Sequence, residues 1–198
     1  MFNPAPVLPY PATLFPELLN EESLPTLYIG ILLVLLAGVA LFIFRQIFKT
    51  RRQETRFGKL QKQLQQNPGT AQEYYELGSL YLEKKLYVQA VQILQKALKL
   101  AEKDEVEAEN IALIYNAIGF SYFKQEQYDI AIRHYKDAIK RYPEYTIALN
   151  NLGNVYEKKQ LITQALEAYE TTLQHEPQNK VAGRRAEALK KRSAAPTP

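Results

Sequence analysis

The chain reads as an all-α protein, with one apolar helix near the N-terminus followed by a solenoid of paired helices. Two observations predict this class. Residues 27–44 contain no charged side chain, and 13 of these 18 are Leu, Ile, Val or Phe. Further on, a set of aromatic, small and aliphatic residues returns at matching offsets from Tyr74, Tyr115 and Leu149. Self-similarity at a period of roughly 20–50 residues marks stacked supersecondary units, none of which can bury its apolar face alone.

In the middle unit Tyr115, Ile118, Gly119 and Tyr122 fall at i, i+3, i+4 and i+7, one stripe of a first helix. Ala131, Tyr135 and Ala138 stripe a second helix. Pro143 closes it, because proline lacks an N–H and bars helical geometry from the residue before it. Thirty-four residues on, Leu149, Leu152, Gly153, Tyr156, Ala165, Tyr169 and Pro177 take the same places, and earlier Tyr74, Leu77, Gly78, Tyr81, Ala90, Leu94 and Ala97 do so. Gly119 and Ala131 are small where two antiparallel helices are expected to cross. This is the signature of the tetratricopeptide repeat, and three units meet the usual minimum for a stack.

The first unit departs from the pattern. It has no terminal proline, and Gly78 precedes Gly119 by 41 residues rather than 34. Seven extra residues make about two helical turns and preserve the face, so residues 101–110 are expected to lengthen the flanking helices. In the third unit Thr172 stands where the last small alanine belongs. The expected boundaries are 71–110, 111–145 and 146–178 for the repeats, then a polar capping helix at 179–192 and a disordered tail at 193–198. Terminal caps keep a solenoid soluble.

Residues 23–44 are expected to form a single transmembrane helix, since about 20 apolar residues cross roughly 30 Å of hydrocarbon. A cleaved signal peptide would need a basic stretch before it, and no Lys or Arg precedes residue 45. Glu17, Glu21 and Glu22 lie on one side, and Arg45, Lys49, Arg51, Arg52, Arg56, Lys59 and Lys62 on the other, in a basic juxtamembrane linker or helix at 45–70. By the positive-inside rule the repeats stay on the cytoplasmic side, which in a plastid thylakoid is the stroma. The tail at 1–22, with prolines at 4, 6, 9, 11 and 16, lies across the membrane and reads as extended.

Composition narrows the chemistry. Cysteine is absent, which removes disulfides, thiolate metal sites and a cysteine nucleophile. All 25 Lys and Arg fall after residue 44, against 18 Asp and Glu there. Topology and attraction to anionic lipid account for the juxtamembrane share. Nucleic-acid binding by residues 45–62 or 184–192 is disfavoured, because no RNA-binding module accompanies them and the aromatics fall at repeat core positions. His134 and His175 lie in no catalytic motif and read as surface helix residues, and no G-x-x-x-x-G-K loop exists to cradle phosphate. No enzyme, metal, cofactor or small-molecule substrate is expected.

Function is then expected in a surface. In such a stack the first helix of each unit lines an inner groove. Opposite its core stripe lie Tyr75, Ser79 and Leu82 in the first unit, and Leu113, Asn116, Phe120 and Phe123 in the second. The third supplies Ile147, Asn150, Asn154 and Lys158. Aromatics supply buried area and asparagines pair with an extended backbone, so this face suits a protein segment. Phe120 and Phe123 could instead pack on the lengthened first helix pair. Repeat proteins that hold the acidic tails of cytosolic chaperones use Lys, Asn and Arg where this chain has Tyr75, Ser79, Ala117, Ile147 and Asn151, so that carboxylate clamp is absent.

The acidic, proline-rich tail, the membrane helix with its basic flank and the three repeats marked by Leu77-Gly78, Ile118-Gly119 and Leu152-Gly153 resemble one family. It is the membrane-anchored tetratricopeptide photosystem I assembly proteins of cyanobacteria and plastids, whose plant relatives are the pale yellow green proteins. The resemblance implies a single-pass thylakoid protein that helps assemble or stabilise photosystem I by holding its subunits or assembly intermediates, with no cofactor of its own. The alternative is a receptor that recruits chaperone, translocation or envelope components to an ordinary plasma membrane. Ala131→Leu is expected to destabilise the chain by roughly 1–3 kcal/mol through overpacking at the helix crossing. A thermal melt of the full chain checks the register, which an unchanged midpoint would contradict.

Overall fold

Helix α1 runs Leu24–Gln66 because nothing in its interior breaks it until Asn67, Pro68 and Gly69. Pro25 sits in its first turn, where a missing N–H is harmless. Seven helices follow: α2 Ala71–Glu83, α3 Tyr87–Lys103, α4 Ala108–Lys124, α5 Tyr128–Arg141, α6 Thr146–Lys158, α7 Ile162–His175 and α8 Lys180–Ala194. This computed structural model describes residues 24–194; the tail at 1–22, residue 23 and residues 195–198 lie outside them. Among the described residues there is no strand.

Two compact units divide within α1, one ending at Glu54 and the other beginning at Thr55. In the first unit the large apolar side chains from Leu27 to Phe48 are exposed, and the helix is long and apolar enough to cross a membrane by length and composition. The Phe44 and Phe48 rings meet one turn apart, with centroids 4.6 Å apart and planes tilted by 48°.

The second unit begins with the last turns of α1, inside the 45–70 stretch expected as a basic linker or helix. They are a packed layer. Phe57, Leu60 and Leu64 recur on one face and meet Leu77, Leu80, Tyr81 and Ile93. Phe57 sits edge-on to Tyr81 at 5.0 Å, Arg56 pairs with Glu76 at 2.5 Å, and Gln61 donates to the Tyr81 hydroxyl at 3.1 Å. A capping box then starts α2: the Glu73 N–H donates to the Thr70 hydroxyl at 3.2 Å, and the Thr70 N–H donates to Glu73 at 2.9 Å.

Each following pair is a hairpin built around a glycine. A Cβ on Gly78 would lie 2.6 Å from the Leu94 side chain, one on Gly119 2.9 Å from the Tyr135 ring, and one on Gly153 2.7 Å from the Tyr169 ring. Ala71 at the start of α2 shares a core cluster with Ala101 at the end of α3, as an antiparallel pair requires. Helices α3 and α4 have 17 residues each, against 13 or 14 in α5, α6 and α7. The extra length is interrupted, because α3 stops at Lys103 and Glu105 takes φ 50°. Glu102 then ties the lengthened region together, accepting from Tyr115 at 3.0 Å and Arg141 at 3.2 Å.

Tyr142 and Glu176 precede Pro143 and Pro177 and adopt extended φ of −138° and −134°, ending α5 and α7. Thr172, fully buried, donates back to Ala168 at 3.0 Å, so the position tolerates a hydroxyl. Asn179 accepts from the Ala182 N–H at 3.0 Å and starts α8, whose Ala182, Ala186 and Leu189 are buried.

The three turns inside the hairpins share one geometry. Leu86, Gln127 and Leu161 N–H groups donate back to Tyr81, Tyr122 and Tyr156 carbonyls at 2.9–3.0 Å. The residue before each, Lys85, Glu126 or Gln160, takes φ 60° in the left-handed region. Only glycine adopts that region without a Cβ clash, so Glu126→Gly and Gln160→Gly are each expected to raise stability by about 0.5–1 kcal/mol net of glycine's larger unfolded entropy. Urea unfolding of the single variants reads this directly.

Candidate protein-binding groove

The first helices of the pairs form one row, with α2 touching α4 and α4 touching α6. Their buried stripes face the second helices, which leaves the opposite faces side by side. Every groove position expected from the sequence lies on α2, α4 or α6, but the positions differ in what they leave free.

Tyr75 and Leu82 are half-buried against the core between the first two pairs. The Ser79 hydroxyl donates to the Tyr75 carbonyl at 2.9 Å and so serves its own helix. Leu113 packs against a cluster of Ala112, Ala138, Tyr145 and Ala148, and with Gln72 and Tyr75 lines a cleft of about 200 Å³. Phe120 and Phe123 do not pack on the first pair. They lie against the core shared by the second and third pairs, Phe123 5.9 Å from Tyr128, with the Lys124 ammonium 5.2 Å and 5.9 Å from their rings. Ile147 is 56% exposed, Asn154 is half-buried and Lys158 is exposed.

The asparagines divide into two kinds. Asn116 is engaged within the fold: its amide donates to the Tyr145 hydroxyl at 3.3 Å and its carbonyl accepts from Asn151 at 2.9 Å, joining α4 to α6. Burial, with the neighbouring Tyr75 adding to it and the Asn116 bond opposing it, pushes the Tyr145 hydroxyl up to about 12, so it stays a neutral partner. Asn150 keeps a buried carbonyl oxygen with no partner. A buried acceptor left unpaired costs about 1–3 kcal/mol.

Sequence reasoning missed Asn151 and Tyr145 as groove residues. Asn151 entered it only as a position where the chaperone clamp is broken. Its signal was a polar side chain in a helix otherwise striped by Ala148, Leu152 and Val155. Tyr145 precedes α6 and stacks on Tyr142 at 6.0 Å, a contact that depends on how Pro143 turns the chain.

His134 is a correction. It is not a surface residue: its ring stacks parallel on Tyr122 at 5.5 Å, lies 6.0 Å from Tyr115, and has a buried Nδ1 with no partner. It follows Ile130 and Ala131 by one turn, which turns it toward α4. His175 is exposed at the end of α7. Among the described residues no group of three His, Asp or Glu side chains is placed to hold a metal.

Hairpins crossing at glycine, a 34-residue repeat and an open row of first helices define a tetratricopeptide-repeat protein. Tetratricopeptide-repeat family profiles match residues 69–144 and 116–180. The chain belongs to the PYG7 and ycf37 family of these proteins. It is 37% identical to the tetratricopeptide repeat domain-containing protein PYG7, chloroplastic, of Arabidopsis thaliana, over 88% of this chain and 57% of that protein. It is 35% identical to the ycf37 protein of Guillardia theta, over 80% of this chain and 88% of that one. Among solved structures, the first tetratricopeptide domain of Spaghetti (RPAP3) bound to an HSP90 peptide superposes with a TM-score of 0.57 at 20% identity, covering 64% of this chain and 94% of that one, which shows the fold. Such a stack is a protein-interaction scaffold, and no catalytic family is indicated.

Burial lowers the His134 pKa below 6.5, with Asp137 opposing the shift and Arg133 adding to it. The unfolded chain therefore binds the proton more tightly. Stability is complete above the ordinary histidine pKa and falls as pH drops through it toward the lower folded value. Thermal midpoints at about pH 7.5 and pH 5.5 are expected to differ less in His134→Phe than in the unaltered chain.

Proposed function

We propose that this chain is a membrane-tethered scaffold that holds photosystem I subunits or assembly intermediates during assembly in the thylakoid. The observation that carries the reading is the open face of α4 and α6, where Ile147 and Lys158 are exposed beside half-buried Asn154 in a fold that interacts with proteins. The family relation supports the plastid setting, and the Arabidopsis relative is itself described as chloroplastic. The apolar part of α1 supplies the tether, and the basic residues after it orient the repeats toward the cytoplasm or stroma. Confinement to the membrane plane raises the effective concentration of a captured subunit without any new contact.

The RPAP3 domain binds a chaperone peptide, but the cations of a carboxylate clamp are replaced here by Tyr75, Ile147 and Asn151. A photo-crosslinking residue at Ile147, an exposed groove position, is expected to capture photosystem I subunits or assembly factors in native membranes, as read by mass spectrometry. Capture confined to chaperones or secretion components would overturn the photosystem reading.

A further inference from the structure

Helix α8 stands in register with α4 and α6. Ile114, Ala148 and Ala182 are buried at one offset, Ile118, Leu152 and Ala186 at a second, and Ser121, Val155 and Leu189 at a third, each set stepping by 34 residues. Glu157 of α6 pairs with Arg185 of α8 at 3.6 Å. The terminal cap is thus also a further inner helix, and its outward face continues the groove.

Two rows cross this three-helix face. Leu113, Ile147 and Val181 occupy one offset near the N-terminal ends, with Ile147 56% and Val181 51% exposed. Eleven residues further along each helix, three turns and about 16 Å away on the same side, stand Lys124, Lys158 and Arg192. All three cations are exposed, and among the described residues none has a carboxylate partner. A cation in the last turn suits the helix dipole, which accounts for one row and not for an exposed aliphatic at the opposite end of the same helix. Between the rows lie Asn150 and Asn154. On α2 the corresponding positions are Gln72 and Glu83, so both rows end there.

We infer that the groove takes an extended segment in which apolar and acidic residues alternate. Successive side chains of such a segment point to opposite sides. One set meets Leu113, Ile147 and Val181, the carboxylates meet Lys124, Lys158 and Arg192, and the backbone lies over the asparagines. Neither row continues onto α2, so the segment spans α4, α6 and α8. This rests on the groove reading above and adds the chemistry of the partner.

The test uses the purified full chain in detergent and three fluorescein-labelled octapeptides, alternating Leu/Glu, Leu/Lys and Ser/Glu, with binding read by fluorescence anisotropy. The Leu/Glu peptide is expected to bind, and the other two to bind about tenfold or more weakly. In the double variant Lys158→Glu, Arg192→Glu the preference is expected to reverse toward Leu/Lys, a gain that a misfolded chain could not show. Equal binding of Leu/Glu and Leu/Lys by the unaltered chain would overturn the charge row and leave the groove reading intact. Failure to bind any peptide while the Ile147 crosslinker still captures protein would overturn the proposed segment alone. Failure of both would remove the groove reading as well.

Discussion

The structure depends on one close approach, repeated three times: a first helix meets its partner where a glycine faces a large side chain. Leu94 lies over Gly78, Tyr135 over Gly119 and Tyr169 over Gly153, each too near to admit a Cβ. Tyr135 and Tyr169 are 1% exposed, so the contact seats two of the largest buried side chains and fixes how the helices of a pair cross. Burial raises both phenol pKa values, and the Tyr169 hydroxyl still finds a partner by donating to Glu157 at 2.7 Å. Because the crossing repeats, the pairs stack in the same sense and their first helices turn the same face outward. The groove follows from that crossing.

Polar contacts then fix how one pair sits on the next. The Asn151, Asn116 and Tyr145 chain joins α4 to α6, Glu102 links α3, α4 and α5, and Glu157 joins α6, α7 and α8 through Tyr169 and Arg185. Satisfied polar contacts of this kind add little net energy and strong geometric preference, because any other register strands a donor or acceptor. Asn150 is the exception, a buried acceptor the fold leaves unpaired.

A solenoid must also close its ends, since each unit contacts only its neighbours. At one end the last turns of α1 cover Leu77 and Leu80 with Phe57, Leu60 and Leu64. At the other α8 covers the third pair with Ala182, Ala186 and Leu189 while facing solvent with Lys and Arg. The two ends differ in kind: one is borrowed from a helix that begins in an apolar segment, and the other repeats the inner-helix register.

Hairpin positions, the glycine crossings, the proline stops and the apolar segment were legible from the sequence alone, because each rests on local chemistry: helical periodicity, the missing proline N–H and an unbroken run of uncharged residues. The faces that line the groove were legible too, since a helix that buries one stripe presents the opposite one. Tertiary structure alone decided which of those side chains are free. Asn116 is held by Asn151 and Tyr145, Phe120 and Phe123 lean on the second and third pairs, and His134 lies half-buried against Tyr122 and Tyr115 rather than exposed. The physical reason is that such partners come from other helices, up to 35 residues away in sequence. Periodicity fixes which way a side chain points and not what it meets.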